Sequence, residues 1–394
     1  MEKNYLTVVV INDFDYVQGG ASKVAIQTAN ILASNDIKTY FFSGVTANDD
    51  SLNEKVIKIS TNQNEALNDK NKIRGMINGL YNFKAKKELK NLLKNLNPQN
   101  TIIHVHGWTK CLSSSILDIA FKMKFKVVLT LHDYFSACPN GGLFNYKTNE
   151  LCYLKPLSLN CVRCNCDSRN YFFKLYRIMR QFIQNKVVKL NNKLEFAISI
   201  SDLSERLLKN NFKNVKMYRI YNPIEMNKNT TKINILQNEY FLYVGRVAKE
   251  KGVETFCNVM TDLNLHGIVV GNGPEYNNLK VRYPKVDFVG WKSATEVEKY
   301  MQGAKALIFP SRWYETAGLT ILEALNVGIP VFVSEWCAGK EFIDIGVNGN
   351  TFRSEDDLKR KLKEYGKYNN FHYENKYTMK AYFENLVKAY YSII

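Results

Sequence analysis

The sequence predicts an α/β protein built as two doubly wound parallel-sheet domains. Three observations predict it. Short, continuous apolar runs recur along the chain, as strands covered on both faces require. Helical stretches separate them, and that alternation leads to a parallel sheet. Finally, 394 residues exceed what one ordinary hydrophobic core serves, so two domains are the natural division.

Taken in order, Leu6–Ile11 (LTVVVI) reads as the first strand, followed by a loop carrying Gly19-Gly20. Ser22–Ala33 is amphipathic at helical spacing through Val24, Ile26, Ala29, Ile31 and Leu32. Lys38–Ser43 is a second strand, and residues 70–97 a strongly basic helical region. Thr101–His106 and Lys126–His132 are further strands. Residues 138–166 break the rhythm and read as an irregular, cysteine-rich insertion. Residues 169–193 return to a helix rich in aromatic and basic side chains, and Phe196–Ile200 is a strand whose following Ser201 can cap a helix starting at Asp202. Asn222-Pro223 marks the crossover between domains. The pattern then restarts with strands at Tyr240–Val244, Gly267–Val270, Val286–Val289, Ala306–Pro310 and Ile329–Val333. The division expected is 1–221 for the first domain, 222–375 for the second, and a final helix at 376–394 packing back on the first.

Composition excludes several classes. With 45% hydrophobic and 23% charged residues the chain is globular rather than disordered. No run reaches the roughly 20 apolar residues of a membrane span. The start, MEKNYLTVVVIND, lacks a cleavage site and meets Asp13 and Asp15 at once, so a cytoplasmic protein is expected. The net charge is +17, unevenly placed: residues 1–197 carry 27 Lys and Arg against 15 Asp and Glu, the rest 27 against 22. The first half should attract anions, whether phosphate-bearing substrates, anionic lipid or nucleic acid.

The most specific motif is Glu315-Thr-Ala-Gly-Leu-Thr-Ile-Leu-Glu323, which follows the strand-like ALIFPSRWY. A strand, a glycine turn and a helix start place free backbone N–H groups and a positive dipole end together, which suits a pyrophosphate. Glu323 would lie in the helix, within reach of ribose hydroxyls, and Glu315 in the loop near a sugar. Gly245-Arg246-Val-Ala-Lys-Glu-Lys251-Gly252 follows another strand, and Arg246 and Lys251 could offset the charge of a departing diphosphate. Gly271 and Gly273 end the next strand, where backbone can approach closely. Gly19-Gly20 offers phosphate the same access in the first domain. The full dinucleotide fingerprint G-x-G-x-x-G and the Walker A sequence are both missing, which disfavours hydride transfer and ATP hydrolysis. His106 and His132 each end a strand, where parallel sheets gather functional groups.

In this combination the chain resembles the large family of retaining glycosyltransferases with the GT-B fold, family 4 of the usual classification. The resemblance rests on the Gly19-Gly20 loop, LTLHDY around His132, YVGRVAKEKG, VVGNGPE, VDFVGW and the stretch ending at Glu323, and it runs over nearly the whole chain. It implies two facing Rossmann-like domains, the nucleotide diphosphate on the second and the acceptor on the first. Arg246 and Lys251 would hold the diphosphate, Glu323 the ribose, Glu315 the donor sugar. Gly318, Leu319 and Thr320 would offer backbone N–H groups, His132 would sit by the anomeric region, and Trp291 would border the base. Catalysis would need no cofactor or divalent metal, and the sequence has no D-x-D after a strand.

The insertion departs from the family's minimal pattern. Its opening, HDYFSACPNGG, looks like that of capsule and O-antigen glycosyltransferases. Of Cys138, Cys152, Cys161, Cys164 and Cys166, four could hold a structural zinc, and Cys161-x2-Cys164 has zinc-knuckle spacing. An iron–sulfur cluster, free thiols and disulfides are the alternatives. The expected function is transfer of a hexose or N-acetylhexosamine from a nucleotide-diphosphate sugar, with UDP favoured, to a glycan or polyprenyl-diphosphate-linked acceptor at the inner membrane surface. A GDP-mannose-dependent mannosyltransferase of the same fold is the first alternative. A basic zinc-knuckle protein binding nucleic acid is the second, disfavoured because the length goes into two α/β domains.

Overall fold

A computed structural model describes residues 6–47, 51–224, 234–369, 371 and 373–394. The chain divides into two compact units: Met1–Gly142 with Leu154–Pro223 and Met379–Ile394, and Leu143–Tyr153 with Ile224–Thr378.

The first unit is a seven-stranded sheet. Its strands are β1 (Thr7–Phe14), β2 (Lys38–Val45), β3 (Ile57–Ser60), β4 (Thr101–Val105), β5 (Lys126–Thr130), β8 (Phe196–Ser199) and β9 (Lys216–Arg219), in the order β3-β2-β1-β4-β5-β8-β9. Every pairing is parallel. The apolar run of β1 explains its central place: Val8, Val9, Val10 and Ile11 are fully buried. The intervening β6 (Phe144–Asn145) and β7 (Glu150–Leu151) form a small antiparallel hairpin inside the insertion. Because β1 pairs with β2 on one side and β4 on the other, the strand order reverses there, and the loops after β1 and β4 flank a switch point.

Sequence periodicity misses β3, β9 and one strand of the second unit. IKIS and KMYR are short edge strands with little buried apolar surface, so no apolar run announces them. The basic region at 70–97 is two helices, Lys72–Leu80 and Phe83–Leu93, because Asn82 turns its side chain back to cap the second. The insertion is more regular than expected, holding the hairpin and a short helix at Leu159–Arg163.

The second unit is a six-stranded parallel sheet of β10 (Tyr240–Val244), β11 (Gly267–Val270), β12 (Val286–Gly290), β13 (Ala304–Phe309), β14 (Val331–Ser334) and β15 (Gly349–Phe352), ordered β12-β11-β10-β13-β14-β15. Its core gathers Phe241, Val269, Ile308 and Phe332 with Phe256, Met260 and Tyr368. Here the order reverses at β10, so the loops after β10 and β13 flank this unit's switch point.

The last helix, Met379–Tyr391, belongs to the first unit. Tyr382, Leu386, Ala389 and Tyr390 form its buried stripe. The Tyr382 hydroxyl lies 2.7 Å from the Thr28 hydroxyl on helix Gly20–Ser34. Among the described residues no helix is long and apolar enough to cross a membrane.

Candidate active site

The second unit concentrates charged groups at its switch point. Lys251, in the turn after β10, stands 2.6 Å from Glu315, in the loop after β13. The same Glu315 oxygen accepts from the Trp313 indole N–H at 2.6 Å and the Ser311 hydroxyl at 3.3 Å. The Lys251 ammonium also sits over the Trp313 ring, 4.8 Å from its centroid. Burial alone would raise the Glu315 pKa. The Lys251 charge and the three hydrogen bonds outweigh it and hold the carboxyl below the usual glutamate value.

Backbone approach explains the glycines. Gly252 has φ +67°, and a Cβ there would meet the Pro310 carbonyl oxygen at 1.9 Å. At Gly271, φ +134°, a Cβ would meet the Gly245 carbonyl oxygen at 1.9 Å. Only glycine lets the loops after β10, β11 and β13 close on one another. Gly273 sits against Val247 in the same packing. Gly318, at φ +90°, starts helix Leu319–Val327 with no side chain to cap it and no acidic residue in the first turn. The first-turn amides at Leu319 and Thr320 therefore have no intrahelical acceptor and no side-chain competitor. Glu323 lies in the second turn of this helix.

Arg246 reaches Glu250 only at 3.8 Å and keeps a side chain 64% exposed. Its guanidinium remains open to solvent beside the Lys251–Glu315 pair's own loop. Trp291, just after β12, is exposed, a free face for stacking.

The first unit carries the other sequence-predicted residues. Gly19 precedes helix Gly20–Ser34, which also lacks a side-chain cap and first-turn acid. His106 follows β4 and His132 follows β5; their rings are joined by a 2.9 Å contact between His106 Nδ1 and His132 Nε2 and stack at 5.1 Å. Burial holds both imidazoles neutral, His132 with its pKa at about 3 and His106 well below the ordinary value. His106 Nε2 is buried without a hydrogen-bond partner among the described residues.

Sequence reasoning missed His104, in the interior of β4. Its Nε2 lies 2.7 Å from the Thr130 hydroxyl and its Nδ1 2.6 Å from that of Tyr390. It also missed Asp13, whose buried carboxylate accepts the backbone N–H groups of Lys110, Cys111 and Leu112 and so fixes the loop after β4. Neither contact has a local sequence signal. Trp313 and Ser311 could have been singled out by their spacing from Glu315.

Among the described residues, none of the five insertion cysteines is joined in a disulfide. Cys152 falls in the second unit, the others in the first. Among the described residues no group of three or more His, Cys, Asp or Glu stands so as to hold a metal ion. Instead the buried Lys174 ammonium lies 3.1 Å from the Cys166 sulfur and 3.5 Å from that of Cys161. Asn140 bridges the Cys138 and Cys166 sulfurs at 3.0 and 3.2 Å. The Lys174 ammonium thus lies against two of the five sulfurs, those of Cys161 and Cys166.

Residues 226–379 match the sequence model of the family described as glycosyl transferases group 1. This part of the chain is similar to group 1 glycosyltransferase domains. It contains the Lys251–Glu315 pair and the helix start at Gly318. Two proteins of the cps region of Klebsiella pneumoniae are 23% and 26% identical to the chain, over 63% and 62% of its length and 60% and 71% of their own. The alpha-monoglucosyldiacylglycerol synthase of Acholeplasma laidlawii is 27% identical over 46% of each chain. Among solved structures, the apo lipopolysaccharide outer core galactosyltransferase WaaB superposes with a TM-score of 0.62 at 16% identity, covering 99% of this chain and all of that one. Anabaena Alr3699/HepE, in complex with UDP and glucose, gives 0.64 at 15%, covering 98% of this chain and all of the other. At these identities the likeness establishes the two-domain glycosyltransferase fold.

Proposed function

We propose that the chain is a retaining glycosyltransferase of surface polysaccharide synthesis. It moves a hexose or N-acetylhexosamine from a UDP-sugar to a glycan or lipid-linked oligosaccharide. The observation that carries this is the Lys251–Glu315 pair held at the switch point of the second unit, beside Arg246 and the uncapped helix start at Gly318.

Each part has a physical task. The diphosphate takes the amides at Leu319 and Thr320 and the charge of Arg246 and Lys251, which offset the negative charge that develops as the nucleoside diphosphate leaves. Cations in these positions do the work a divalent metal does elsewhere, so transfer runs without a cofactor. Glu315, already ionised and aimed by three donors, binds donor-sugar hydroxyls. Glu323 binds the ribose and Trp291 borders the base. Gly271 and Gly273 keep their loop close enough for backbone contact. In the first unit, neutral His132 acts as a hydrogen-bonding group in the transfer step, with its ring aimed by His106, and the Gly19-Gly20 loop takes part in substrate contact. The cps-region relatives and the UDP- and glucose-bound structure of the same fold support this reading.

Thermal stabilisation by UDP, GDP, ADP and their sugars, with and without EDTA, tests it. A ligand at 100 times its Kd stabilises by about 2.7 kcal/mol. A UDP-selective, EDTA-insensitive shift that Arg246→Ala abolishes is the expected result; a GDP-selective shift would favour the mannosyl reading. A structural zinc on four of the five cysteines is a separate proposal. Metal analysis of the purified protein decides it.

A further inference from the structure

The helix Tyr171–Phe182 is turned inside out. Lys174, Gln181 and, just beyond the helix, Gln184 are buried, with Arg177 and Arg180 partly so. Phe172, Leu175, Met179 and Phe182 are exposed, at 61%, 43%, 54% and 52%. Lys174, Arg177, Gln181 and Gln184 recur at i, i+3, i+7, i+10, as do the four exposed residues, so each set lines one face. A water-facing helix has the opposite arrangement.

The polar face is inward for a physical reason. The irregular segment 135–140 leaves backbone carbonyls that need donors. Arg177 donates to Asn140 O at 3.2 Å, Arg180 to Pro139 O at 3.1 Å, Gln181 to Ser136 O at 3.1 Å and Gln184 to Phe135 O at 3.2 Å. Lys174 lies against the Cys161 and Cys166 thiols. The apolar face is thereby fixed outward and cannot roll into the core without orphaning these groups.

A second helix extends this face. Lys72–Leu80 exposes Ile73, Met76 and Ile77, again on one side. It touches the first where the Tyr176 hydroxyl donates to Met76 O at 2.8 Å, beside Gly79. The surroundings are basic. Residues 168–194 contain no Asp or Glu, and residues 70–94 only Glu88. Lys70, Lys72, Lys84, Lys87, Arg169 and Lys186 are all exposed.

We infer that these two helices form a docking surface for an anionic lipid bilayer, the apolar residues entering the headgroup boundary and the lysines and arginines meeting the lipid charge. Amphipathic helices with a cationic surround bind membranes in this way. The inference does not rest on the transferase reading, because the probe below carries no sugar.

The test is flotation of the full-length protein with vesicles of phosphatidylcholine alone and of phosphatidylcholine with phosphatidylglycerol. The expected result is binding to the anionic vesicles only, weakened by salt. Phe172→Glu with Met179→Glu, and separately Ile73→Glu with Ile77→Glu, should lower it by about tenfold or more. These positions are exposed, so an unchanged melting curve shows that the variants remain folded. Failure to bind anionic vesicles overturns the inference, as does undiminished binding by folded variants. Self-association of the wild type that the same substitutions abolish, without vesicle binding, would assign the face to a second copy instead and overturn it too.

Discussion

The Lys251 ammonium and the Glu315 carboxylate meet at 2.6 Å although 64 residues separate them. Each comes from a loop following a central parallel strand. Lys251→Met leaves Glu315 partly buried without its counter-charge. The expected cost is about 2–4 kcal/mol, read as a lower melting temperature, together with loss of nucleotide-induced stabilisation. Glu315→Gln keeps the Trp313 contact and should cost less stability while removing transfer. Glu315 also sets an acid limit. Its folded pKa is depressed, so its stabilisation is complete above the ordinary glutamate value of 4.5 and is lost as pH falls through the folded value.

His132→Ala should separate binding from chemistry. If His132 serves the transfer step, UDP stabilisation is retained and sugar transfer falls by about a hundredfold or more. Loss of nucleotide binding in this variant would argue against the assignment. His106→Ala, which removes the 2.9 Å contact, should reduce transfer less.

The buried histidines predict acid sensitivity. His104 is fully buried between Thr130 and Tyr390, and burial, with the nearby His132, lowers its pKa from 6.5 to about 3. Unfolding lets it take up a proton anywhere in that window. Stability should therefore be unaffected by this group above pH 6.5 and fall as pH drops towards 3, by up to about 1.4 kcal/mol per pH unit. Denaturant melts from pH 7 to 4 read this slope, and His104→Gln should flatten it.

Asp118 binds two helices together. Burial works against its charge, but hydrogen bonds from Lys86, Tyr81 and Lys122 outweigh it and hold the pKa at about 2. The contacts are 2.8, 2.6 and 2.9 Å. Asp118→Asn should cost about 2 kcal/mol near neutral pH. In the wild type this contribution is present above pH 3.8 and lost as pH falls towards 2, which chemical denaturation across that range measures.

Lys174→Met should destabilise the insertion. It removes the ammonium from between Cys161 and Cys166. Faster reaction of these thiols with a maleimide reagent is the expected readout, with a stability loss of about 1–3 kcal/mol.

The central strands were legible because a parallel strand covered on both faces is an uninterrupted apolar run, as TVVVI in β1 and ALIF in β13 show. Edge strands such as IKIS need no such run, so nothing marked them. The glycine loops and the two glutamates were legible for a related reason: backbone close approach and phosphate affinity demand particular residues at particular turns. The orientation of helix Tyr171–Phe182 was not. Periodicity defines two faces but does not say which turns inward; the carbonyls of residues 135–140 decide that, and they are distant in sequence. The same holds for Asp13, whose three amide partners lie nearly a hundred residues away.

The return of helix Met379–Tyr391 to the first unit has a consequence for synthesis. Residues 379–394 leave the ribosome after all the other residues of the two units. Until then His104 lacks the Tyr390 hydroxyl, Thr28 lacks that of Tyr382, and the apolar surface that Leu386 and Ala389 will cover is open. The second unit, emerging wholly before that helix, has all its strands while the first still waits for its final element. A stalled or clipped chain would therefore betray itself at the N-terminal end of the protein, and a chaperone would find its binding surface there.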